Sequence, residues 1–497
     1  MMKKTTKNLA FLLKDLVAVT AKSDCSISGL ALDSRQIKAG DLFFAYPGTK
    51  VDGRDFIEAA IAKGASAIVL EGNVPYQKNK TIPIFAVENL ADNIGTIAAR
   101  FYDHPSRSLH IIGVTGTNGK TSCTHFIGQA LKALGQPCGI IGTLGSGLYG
   151  HLSNPDLTTP DPITLQKMLA EFRDQGVQFV AMEVSSHSLV QGRVKGVEFE
   201  VAIFTNLTRD HLDYHGTMEN YAAAKRLLFS QPGLQYAILN MDDEYGQAWL
   251  SEIEENLSVY TYSVKPLQLV AKYPQIHVRH AQFEDIGFTA SIQTPWGDGL
   301  LHNPHLMGDF NLSNLLAVLT TLSILGVPMQ ELLAALTQIQ GVPGRMEAVT
   351  KTKNKPLVVV DYAHTPDALK HVLGVLREHC QGQLWCIFGC GGDRDRGKRP
   401  LMGEIVEQLA DQIVVTDDNP RTENARQIVA DIMAGLQNPA KAVVEHNRRR
   451  AIAHAISCAH ADDIILIAGK GHEAYQIIGD EKLPFSDVFE AQLVLNS

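Results

Sequence analysis

The stretch HIIGVTGTNGKTSCTHFIGQAL, from His110 to Leu131, decides the fold of the chain. An apolar, strand-like segment runs into a glycine-rich turn, and a helix-like segment follows it directly. In such a turn the backbone N–H groups, backed by the positive end of the helix, cradle phosphate oxygens. Lys120 is placed to reach the terminal phosphates of a nucleotide, and Thr121 to offer its hydroxyl to Mg²⁺. The stretch therefore predicts a strand, a phosphate-binding loop and a helix.

The glycine spacing of this loop departs from the usual pattern G-x-x-x-x-G-K-[ST]. That pattern requires glycine where this chain has Val114, and the glycines stand at Gly113, Gly116 and Gly119 instead. A short Gly-Lys-Thr match also occurs by chance, in which case the segment is a tight strand-to-helix turn with an exposed lysine. The longer string TGTNGKTS at the end of an apolar strand favours the phosphate-binding interpretation.

The composition of the 497-residue chain is that of a globular protein of about three domains. The net charge is −9, and the only conspicuous basic run covers residues 448–450. Both features argue against nucleic acid or a membrane as a partner. The seven cysteines are scattered and indicate reduced thiols, and Cys386 and Cys390 have no matching pair that would suggest zinc. We expect a cytoplasmic protein, with a monomer as its expected state.

Three regions differ in their pattern of apolar and polar residues, and we expect one domain from each: residues 1–105, 106–341 and 342–497. In the first, AGDLFFAYPG, ASAIVLEG and IPIFAVEN are strand-like, and YDHPSRS is typical of a polar linker with Pro105 as a breaker. The second and third regions alternate apolar strands, such as FVAMEV and PLVVVDY, with amphipathic helical segments. This alternation predicts the α/β fold class, with mostly parallel sheets that are covered on both faces.

Each strand of the third region is followed by a polar, glycine-rich loop. The four loops read DYAHTPDA, GCGGDRDRGKRP, TDDNPRTE and AGKGHEAYQ. Because ligands of parallel sheets bind beyond the carboxyl ends of the strands, these loops are expected to face one crevice. Loops are generally polar, but that alone does not account for so many Arg, Asp, His, Glu and Gly residues.

Several titratable residues stand near other strand ends. Glu183 ends FVAMEV, and a carboxylate there is costly unless it binds something. Because Mg²⁺ prefers oxygen ligands, His211 in TNLTRDHLDYHG is by residue type a hydrogen-bonding histidine. Lys225 in YAAAKRLLF is by itself most simply a surface lysine whose stem covers apolar surface. Asp361 and His364 in DYAHTP fit a turn with a capping side chain as well as they fit a pair of functional residues.

GVTGTNGKTS resembles the ATP loop of the Mur ligases and their folylpolyglutamate synthetase relatives, in which the shifted glycines and the valine are usual. The resemblance covers nearly the whole chain. It implies a small N-terminal UDP-binding domain, a central P-loop-type ATPase domain with a parallel sheet, and a Rossmann-like C-terminal domain. It also implies an ATP-dependent amide ligase of peptidoglycan precursor synthesis that works through an acyl phosphate, with ATP as co-substrate and Mg²⁺ as cofactor.

The resemblance also implies roles for individual residues. The positions that match ATP-binding residues of the family are Gly116, Thr117, Asn118, Gly119, Lys120, Thr121, Ser122, Asn311 and Arg345. The matching metal positions are Thr121, Glu183, His211 and Lys225, the last as a carbamylated lysine. The matching catalytic positions are Lys120, Lys225, Asp361 and His364.

The N-terminal region resembles that of the members that add the third residue of the peptide to UDP-N-acetylmuramoyl-L-Ala-D-Glu. The positions that match UDP-muramyl-peptide contacts are Leu32, Ser34, Thr49, Lys50, Val51, Thr158, Thr159, Ser185, Gln191 and Arg193. One position departs from the family, because Leu157 stands where relatives often have Asn.

The resemblance further implies that meso-diaminopimelate is the incoming amino acid. The matching positions are Arg394, Asp418, Asn419, Pro420, Arg421, Gly469 and Glu473. Arg421 is the residue that distinguishes diaminopimelate from L-lysine. A guanidinium binds a carboxylate bidentately, and L-lysine lacks the second carboxylate of diaminopimelate. Glu473 is suited to hold the distal ammonium. Taken alone, Arg421 is equally a surface arginine near a helix start.

Three alternatives remain at this point. The same reaction with L-lysine predicts that Arg421→Ala leaves the activity unchanged. A P-loop ATPase that works as a switch predicts ATP turnover without any UDP-muramyl peptide. A binding protein without enzymatic activity is disfavoured by Lys120, Glu183 and the four loops together.

Overall fold

The computed structural model describes residues 5–48, 51–73, 81–153, 157–253, 256–265, 272–284, 287–349 and 354–496. Its N-terminal unit is built on a parallel sheet of four strands in the order β3-β4-β5-β6. The strands of this unit are β1 (Lys7–Asn8), β2 (Ser26–Ile27), β3 (Gly29–Ala31), β4 (Asp41–Ala45), β5 (Ala67–Glu71) and β6 (Ile84–Val87), and β1 and β2 form a separate antiparallel pair. The helices are α1 (Leu9–Leu12), α2 (Ile57–Ala62) and α3 (Leu90–Phe101).

The central unit contains a sheet of 11 strands in the order β10-β9-β8-β11-β7-β12-β13-β14-β15-β16-β17. The strands are β7 (His110–Thr115), β8 (Cys138–Gly142), β9 (Gly145–Leu148), β10 (His151–Ser153), β11 (Phe179–Glu183), β12 (Val201–Phe204), β13 (Tyr236–Asn240), β14 (Ser258–Ser263), β15 (Gln275–Phe283), β16 (Phe288–Thr294) and β17 (Gly297–Asn303). The helices are α4 (Lys120–Ala133), α5 (Pro162–Asp174), α6 (Ser186–Val190), α7 (Leu212–His215), α8 (Met218–Arg226), α9 (Glu244–Trp249), α10 (Asp309–Ile324) and α11 (Met329–Thr337).

The C-terminal unit contains a sheet of six strands in the order β18-β19-β23-β20-β21-β22. The strands are β18 (Glu347–Ala348), β19 (Leu357–Asp361), β20 (Leu384–Phe388), β21 (Gln412–Val415), β22 (Ala442–Val444), β23 (Ile464–Ala468), β24 (Tyr475–Ile478) and β25 (Glu481–Pro484). The helices are α12 (Pro366–His379), α13 (Lys398–Leu409), α14 (Ala425–Met433), α15 (Arg448–Cys458) and α16 (Asp487–Leu495). Strands β24 and β25 form a separate hairpin.

The central sheet is buried on both faces, as the apolar strands predict. Along β7, Ile112 and Val114 pack into one apolar core, and Ile111, which precedes them, packs into the core on the opposite face. Helices α4 and α10 belong to the first of these cores, since Phe126 and Leu315 contribute to it. The α/β class with three domains is confirmed.

Two details differ from the sequence analysis. The segment expected to be a polar linker folds into a short 3₁₀ helix, Pro105–Ser108, in which Pro105 and Ser106 are buried. The central sheet also gains an antiparallel extension, because β15, β16 and β17 continue it as a meander. The parallel pattern therefore holds for β8, β11, β7, β12, β13, β14 and β15 but not for the edges.

The fold brings the carboxyl ends of the central strands opposite the loops of the C-terminal sheet. Arg345 precedes β18 and reaches back to the central unit, where its Nη2 donates to Thr121 Oγ1 over 3.3 Å. Within the C-terminal unit, the segment that carries Arg345 passes close to the loop after β23, since a Cβ on Gly344 would collide with the backbone of residues 471–472. None of the helices in the described ranges combines the length and the apolarity that crossing a membrane requires.

Candidate active site

The loop that is predicted to bind phosphate lies between β7 and α4, so the predicted order of strand, loop and helix is present. Gly116 and Gly119 have φ of 151° and 84°, and a Cβ on Gly116 would collide with Thr205 Oγ1. The loop is braced by Asn206, whose carbonyl accepts from Thr117 N at 2.8 Å and whose Oδ1 accepts from Asn118 N at 2.9 Å. Because the first N–H groups of α4 have no acceptors within the helix, the braced loop ends in donors that suit an anion.

Lys120 begins α4 and folds back over the loop. Its Nζ donates to Gly116 O and Thr117 O, both at 2.8 Å. Burial lowers the pKa of this lysine. An ammonium that holds two loop carbonyls in this way is positioned to exchange them for phosphate oxygens.

Lys225 is buried, so the interpretation as a surface lysine is wrong. Its side chain leaves α8 inward, is 1% exposed, and donates to Gly116 O over 2.6 Å. The ammonium also lies 4.6 Å from the ring centroid of Tyr221. Burial, with the charge of Lys120 added to it, holds the pKa of Lys225 well below its usual range. A buried lysine of lowered pKa is a nucleophilic amine.

Glu183 ends β11 and is 1% exposed. Its carboxylate accepts from Thr121 Oγ1 at 3.1 Å, from Thr143 N at 2.7 Å and from Thr143 Oγ1 at 3.1 Å. Room for it is made by Gly142, where a Cβ would collide with Oε1. These hydrogen bonds stabilise the buried anion beside the start of α4.

His211 precedes α7 with a φ of 55°. Burial, reinforced by the neighbouring cations, lowers the pKa of its imidazole to about 3, although Asp210 acts in the opposite direction. The ring is therefore neutral at physiological pH, and a neutral imidazole has a lone pair for a metal. Within the described residues, no three His, Cys, Asp or Glu side chains form a metal-binding group.

Asp210 joins the central and C-terminal units. It is 5% exposed, and its carboxylate lies 3.5 Å from His364 Nε2 and 3.6 Å from Lys398 Nζ. Burial acts to raise the pKa of Asp210, but the hydrogen bond from His364 and the charge of Lys398 outweigh it and hold the pKa well below its usual range. A second ion pair, Arg209–Asp395 at 3.3 Å, spans the same junction.

Asp361 and His364 lie on the first C-terminal loop. The Asp361 carboxylate accepts from Met346 N and Ala363 N, both at 2.7 Å, so it shapes the turn and the entry to β18. Burial raises its pKa. His364 donates from Nδ1 to Tyr362 O over 2.8 Å, which leaves Nε2 directed at Asp210 in the central unit.

A cavity of about 430 Å³ lies between the central and C-terminal units. It is lined by the loop residues Asn118 and Gly119, by Ser122, and by Arg345. Asn311, the remaining predicted ATP contact, is 5% exposed and donates to Met307 O. Sequence reasoning missed Lys265 and His371 of this lining, since neither stands in a glycine-rich motif.

The residues predicted to contact the muramyl peptide cluster beside Glu183. Thr159 donates to Glu183 O over 2.8 Å, and its carbonyl accepts from Arg193 Nη1 at 3.0 Å. Arg193 also donates to Gln191, and Thr158 lies 3.2 Å from Thr143 Oγ1. On the N-terminal side, Ser34 is buried in a 3₁₀ helix that follows β3.

The other predicted contacts at this end are less constrained. Ser185 caps α6 through Ser188 N at 3.1 Å, Leu32 is half-buried, and Val51 is exposed. Thr49 and Lys50 lie outside the described residues.

The residues predicted to bind the incoming amino acid meet at one edge of the C-terminal sheet. Arg421, with a φ of 51°, donates from Nη1 to Gly392 O over 2.8 Å, and Arg394 donates to Asp393 O over 3.0 Å. Asn419 Nδ2 donates to Glu473 Oε2 over 2.8 Å. The surface interpretation of Arg421 is therefore wrong for this residue, which is half-buried between two loops.

Lys398 and Lys470 are functional candidates that sequence reasoning missed as individuals. Both stand inside the quoted loops GCGGDRDRGKRP and AGKGHEAYQ, but a lysine in a loop is ordinarily exposed. In the structure Lys398 is 5% exposed and Lys470 is fully buried.

Three sequence profiles match the chain. The Mur ligase family catalytic domain matches residues 26–102, the Mur ligase middle domain residues 114–322, and the Mur ligase glutamate ligase domain residues 344–471.

Among curated proteins, the UDP-N-acetylmuramoyl-L-alanyl-D-glutamate–2,6-diaminopimelate ligase of Coxiella burnetii is 51% identical, covering 96% of this chain and 97% of that protein. The ligase of the same name from Pseudomonas aeruginosa is 50% identical, covering 96% of each chain. A solved structure of a ligase of that name superposes with a TM-score of 0.71 at 35% identity, covering 99% of both chains. The chain belongs to the Mur ligase family.

Proposed function

We propose that this protein joins meso-2,6-diaminopimelate to the D-Glu of UDP-N-acetylmuramoyl-L-Ala-D-Glu at the expense of ATP. The observation that carries the proposal is the meeting of three groups at one junction. The phosphate-binding loop, the Glu183 region and the C-terminal loops around Arg421 serve a nucleotide, an acid and an amine, respectively. The relatives that bear this activity in their names match over nearly their whole length.

The reaction proceeds in two steps, phosphorylation of the acid and then formation of the amide. An oxygen of the D-Glu γ-carboxylate attacks the γ-phosphorus of ATP, ADP leaves, and an acyl phosphate forms. The amine of diaminopimelate then attacks the acyl carbon, loses a proton and expels phosphate, which leaves the amide. Lys120 exchanges its loop carbonyls for the transferring phosphoryl oxygens and stabilises the charge that develops there. Arg345 approaches the same point from the C-terminal unit.

The donor set of this site fits Mg²⁺ only if Lys225 is modified. The hydroxyl of Thr121, the carboxylate of Glu183 and the neutral ring of His211 are three donors, but two unmodified lysines nearby oppose a cation. A carbamate on Lys225 supplies an anionic oxygen in place of a cation and gives Lys120 a partner. These residues would hold Mg²⁺, which would supply positive charge to offset the charge of the phosphates.

The remaining assignments follow the same geometry. We assign Asp361 and His364 to holding the first C-terminal loop against Asp210, and the Thr158–Arg193 group to the muramyl peptide. We place the domain boundaries after residues 105 and 341, in agreement with the separate sheets on either side. All seven cysteines are free, which suits a reducing compartment, and we propose the cytoplasm.

Phosphate release is the direct test of this function. With ATP, Mg²⁺ and UDP-N-acetylmuramoyl-L-Ala-D-Glu, we expect release with meso-diaminopimelate and little with L-lysine. Release that needs no muramyl peptide would instead indicate an ATPase switch, and preference for L-lysine would overturn the assigned amine.

Substitution of Arg421 tests the amine specificity. Arg421→Ala removes a charged hydrogen-bond donor to the distal carboxylate, so we expect the KM for meso-diaminopimelate to rise about 10- to 100-fold. The KM for ATP should change little. Arg426→Ala, at an exposed arginine of the following helix, is the matched control and should behave as wild type. An unchanged KM for meso-diaminopimelate in Arg421→Ala would contradict the assignment.

Substitution of Lys225 tests the carbamate. Lys225→Met should lose nearly all phosphate release, whereas Lys167→Met, at an exposed helical lysine, should keep it. Protein prepared in ¹³C-bicarbonate should show a carbamate carbon resonance by NMR, and Lys225→Met should lack it. A resonance of equal intensity in both proteins would place the modification elsewhere.

A further inference from the structure

Lys470 is the most completely buried ammonium group in the C-terminal loops. Its side chain is 0% exposed, and Nζ lies 2.8 Å from Asn419 Oδ1. The same Nζ lies 3.2 Å from Asp418 Oδ1 and 3.2 Å from Glu473 Oε2. A buried charge is retained only where it is paired and hydrogen-bonded, and Lys470 meets both conditions.

The contact of Lys470 crosses a strand. Lys470 follows β23, whereas Asp418 and Asn419 follow β21, and β20 lies between them in the sheet. The loop after β20 begins with Gly389, where a Cβ would collide with Thr416 O. The absence of a side chain there lets the two outer loops approach each other, so that one ammonium ties them together.

The hydrogen bonds to Glu473 leave one oxygen for a ligand. Both Asn419 Nδ2, at 2.8 Å, and Lys470 Nζ, at 3.2 Å, donate to Oε2. Oε1 is not engaged by either of them. These two hydrogen bonds orient the carboxylate through Oε2, and Oε1 can accept a hydrogen bond from a ligand ammonium.

The charges of this group are also balanced by Lys470. Burial acts to raise the pKa of Asp418, but the charges of Lys470 and Arg448 outweigh it, and the pKa is lowered. Without the lysine, Asp418 and Glu473 would be two neighbouring carboxylates with less compensation.

We propose that Lys470 is a positioning residue that holds the Glu473 carboxylate in a fixed orientation, and so sets the selection of an amino acid by its distal ammonium. The assignment rests on the proposed function, because it assumes that the incoming amine is meso-diaminopimelate. It divides the recognition of the distal end between two groups. Arg421 binds the carboxylate, and Glu473, held by Lys470, binds the ammonium.

The alternative is that Lys470 only stabilises the domain. The Arg448–Asp487 pair shows what such a contact looks like here, since both side chains are 0% exposed and the pair ties α15 to the start of α16. The partners of Lys470 are instead the three loop residues that match amine-binding positions. This difference favours positioning over stabilisation.

The test compares meso-diaminopimelate with 2-aminopimelate, which keeps the distal carboxylate and lacks the distal ammonium. For each protein the measured quantity is the kcat/KM for meso-diaminopimelate divided by the kcat/KM for 2-aminopimelate, with ATP and muramyl dipeptide saturating. The ratio is internal to one preparation, so partial unfolding cancels. The variants are Lys470→Met, Glu473→Gln and the double variant, and the control is Lys482→Met, which removes an exposed lysine beside Tyr475.

We expect Lys470→Met to lower the ratio about tenfold, as expected for loss of a charged hydrogen bond, and the double variant to resemble Glu473→Gln. Lys482→Met should keep the wild-type ratio. If Lys470→Met slows both amines equally, or if the two single effects multiply in the double variant, the positioning role is overturned and the proposed function stands. If the wild type releases no phosphate with meso-diaminopimelate, the proposed function and this assignment fall together.

Discussion

Two ammonium groups on one backbone carbonyl determine the chemistry of this protein. Lys120 and Lys225 both donate to Gly116 O, and burial lowers the pKa of both. In a protein interior such a pair is stable only if one amine is neutral or if an anion arrives. Both outcomes serve a ligase, because a neutral Lys225 can react with CO₂ and lose a proton to form a carbamate, and a charged Lys120 can bind a phosphate. The pair of lysines therefore favours the binding or formation of an anionic group at this site.

The rest of the fold places other groups around that point. The carboxyl ends of β7 and β11 set the loop and Glu183 side by side, as parallel pairing requires. The C-terminal unit closes the site with Arg345, which reaches Thr121, and with the contacts of His364 and Lys398 to Asp210. A reactive acyl phosphate needs such closure, because water would otherwise compete with the amine.

The sequence predicted the features that follow from local patterns. Apolar runs and glycine turns predicted the α/β class and the turn before Lys120, since strand burial and a tight turn from strand to helix impose these patterns directly. The sequence did not predict which side chains become buried through long-range packing. By residue type Lys225 was a surface lysine, yet α8 turns it inward, and Lys470 was not singled out, because only the folded sheet shows that Gly389 lets two loops meet over it. The segment at Pro105 forms a short 3₁₀ helix in which Pro105 and Ser106 are buried, and Ser106 Oγ accepts from Glu198 N of the central unit at 3.2 Å.

Transfer of oxygen from substrate to phosphate tests the central claim most directly. UDP-N-acetylmuramoyl-L-Ala-D-Glu labelled with ¹⁸O in the γ-carboxylate is turned over with ATP and meso-diaminopimelate, and the released phosphate is analysed by mass spectrometry. An acyl phosphate at the Lys120 site predicts one ¹⁸O atom in each phosphate from labelled substrate. Amide formation with unlabelled phosphate would contradict the account, because the carboxylate would then never have been phosphorylated.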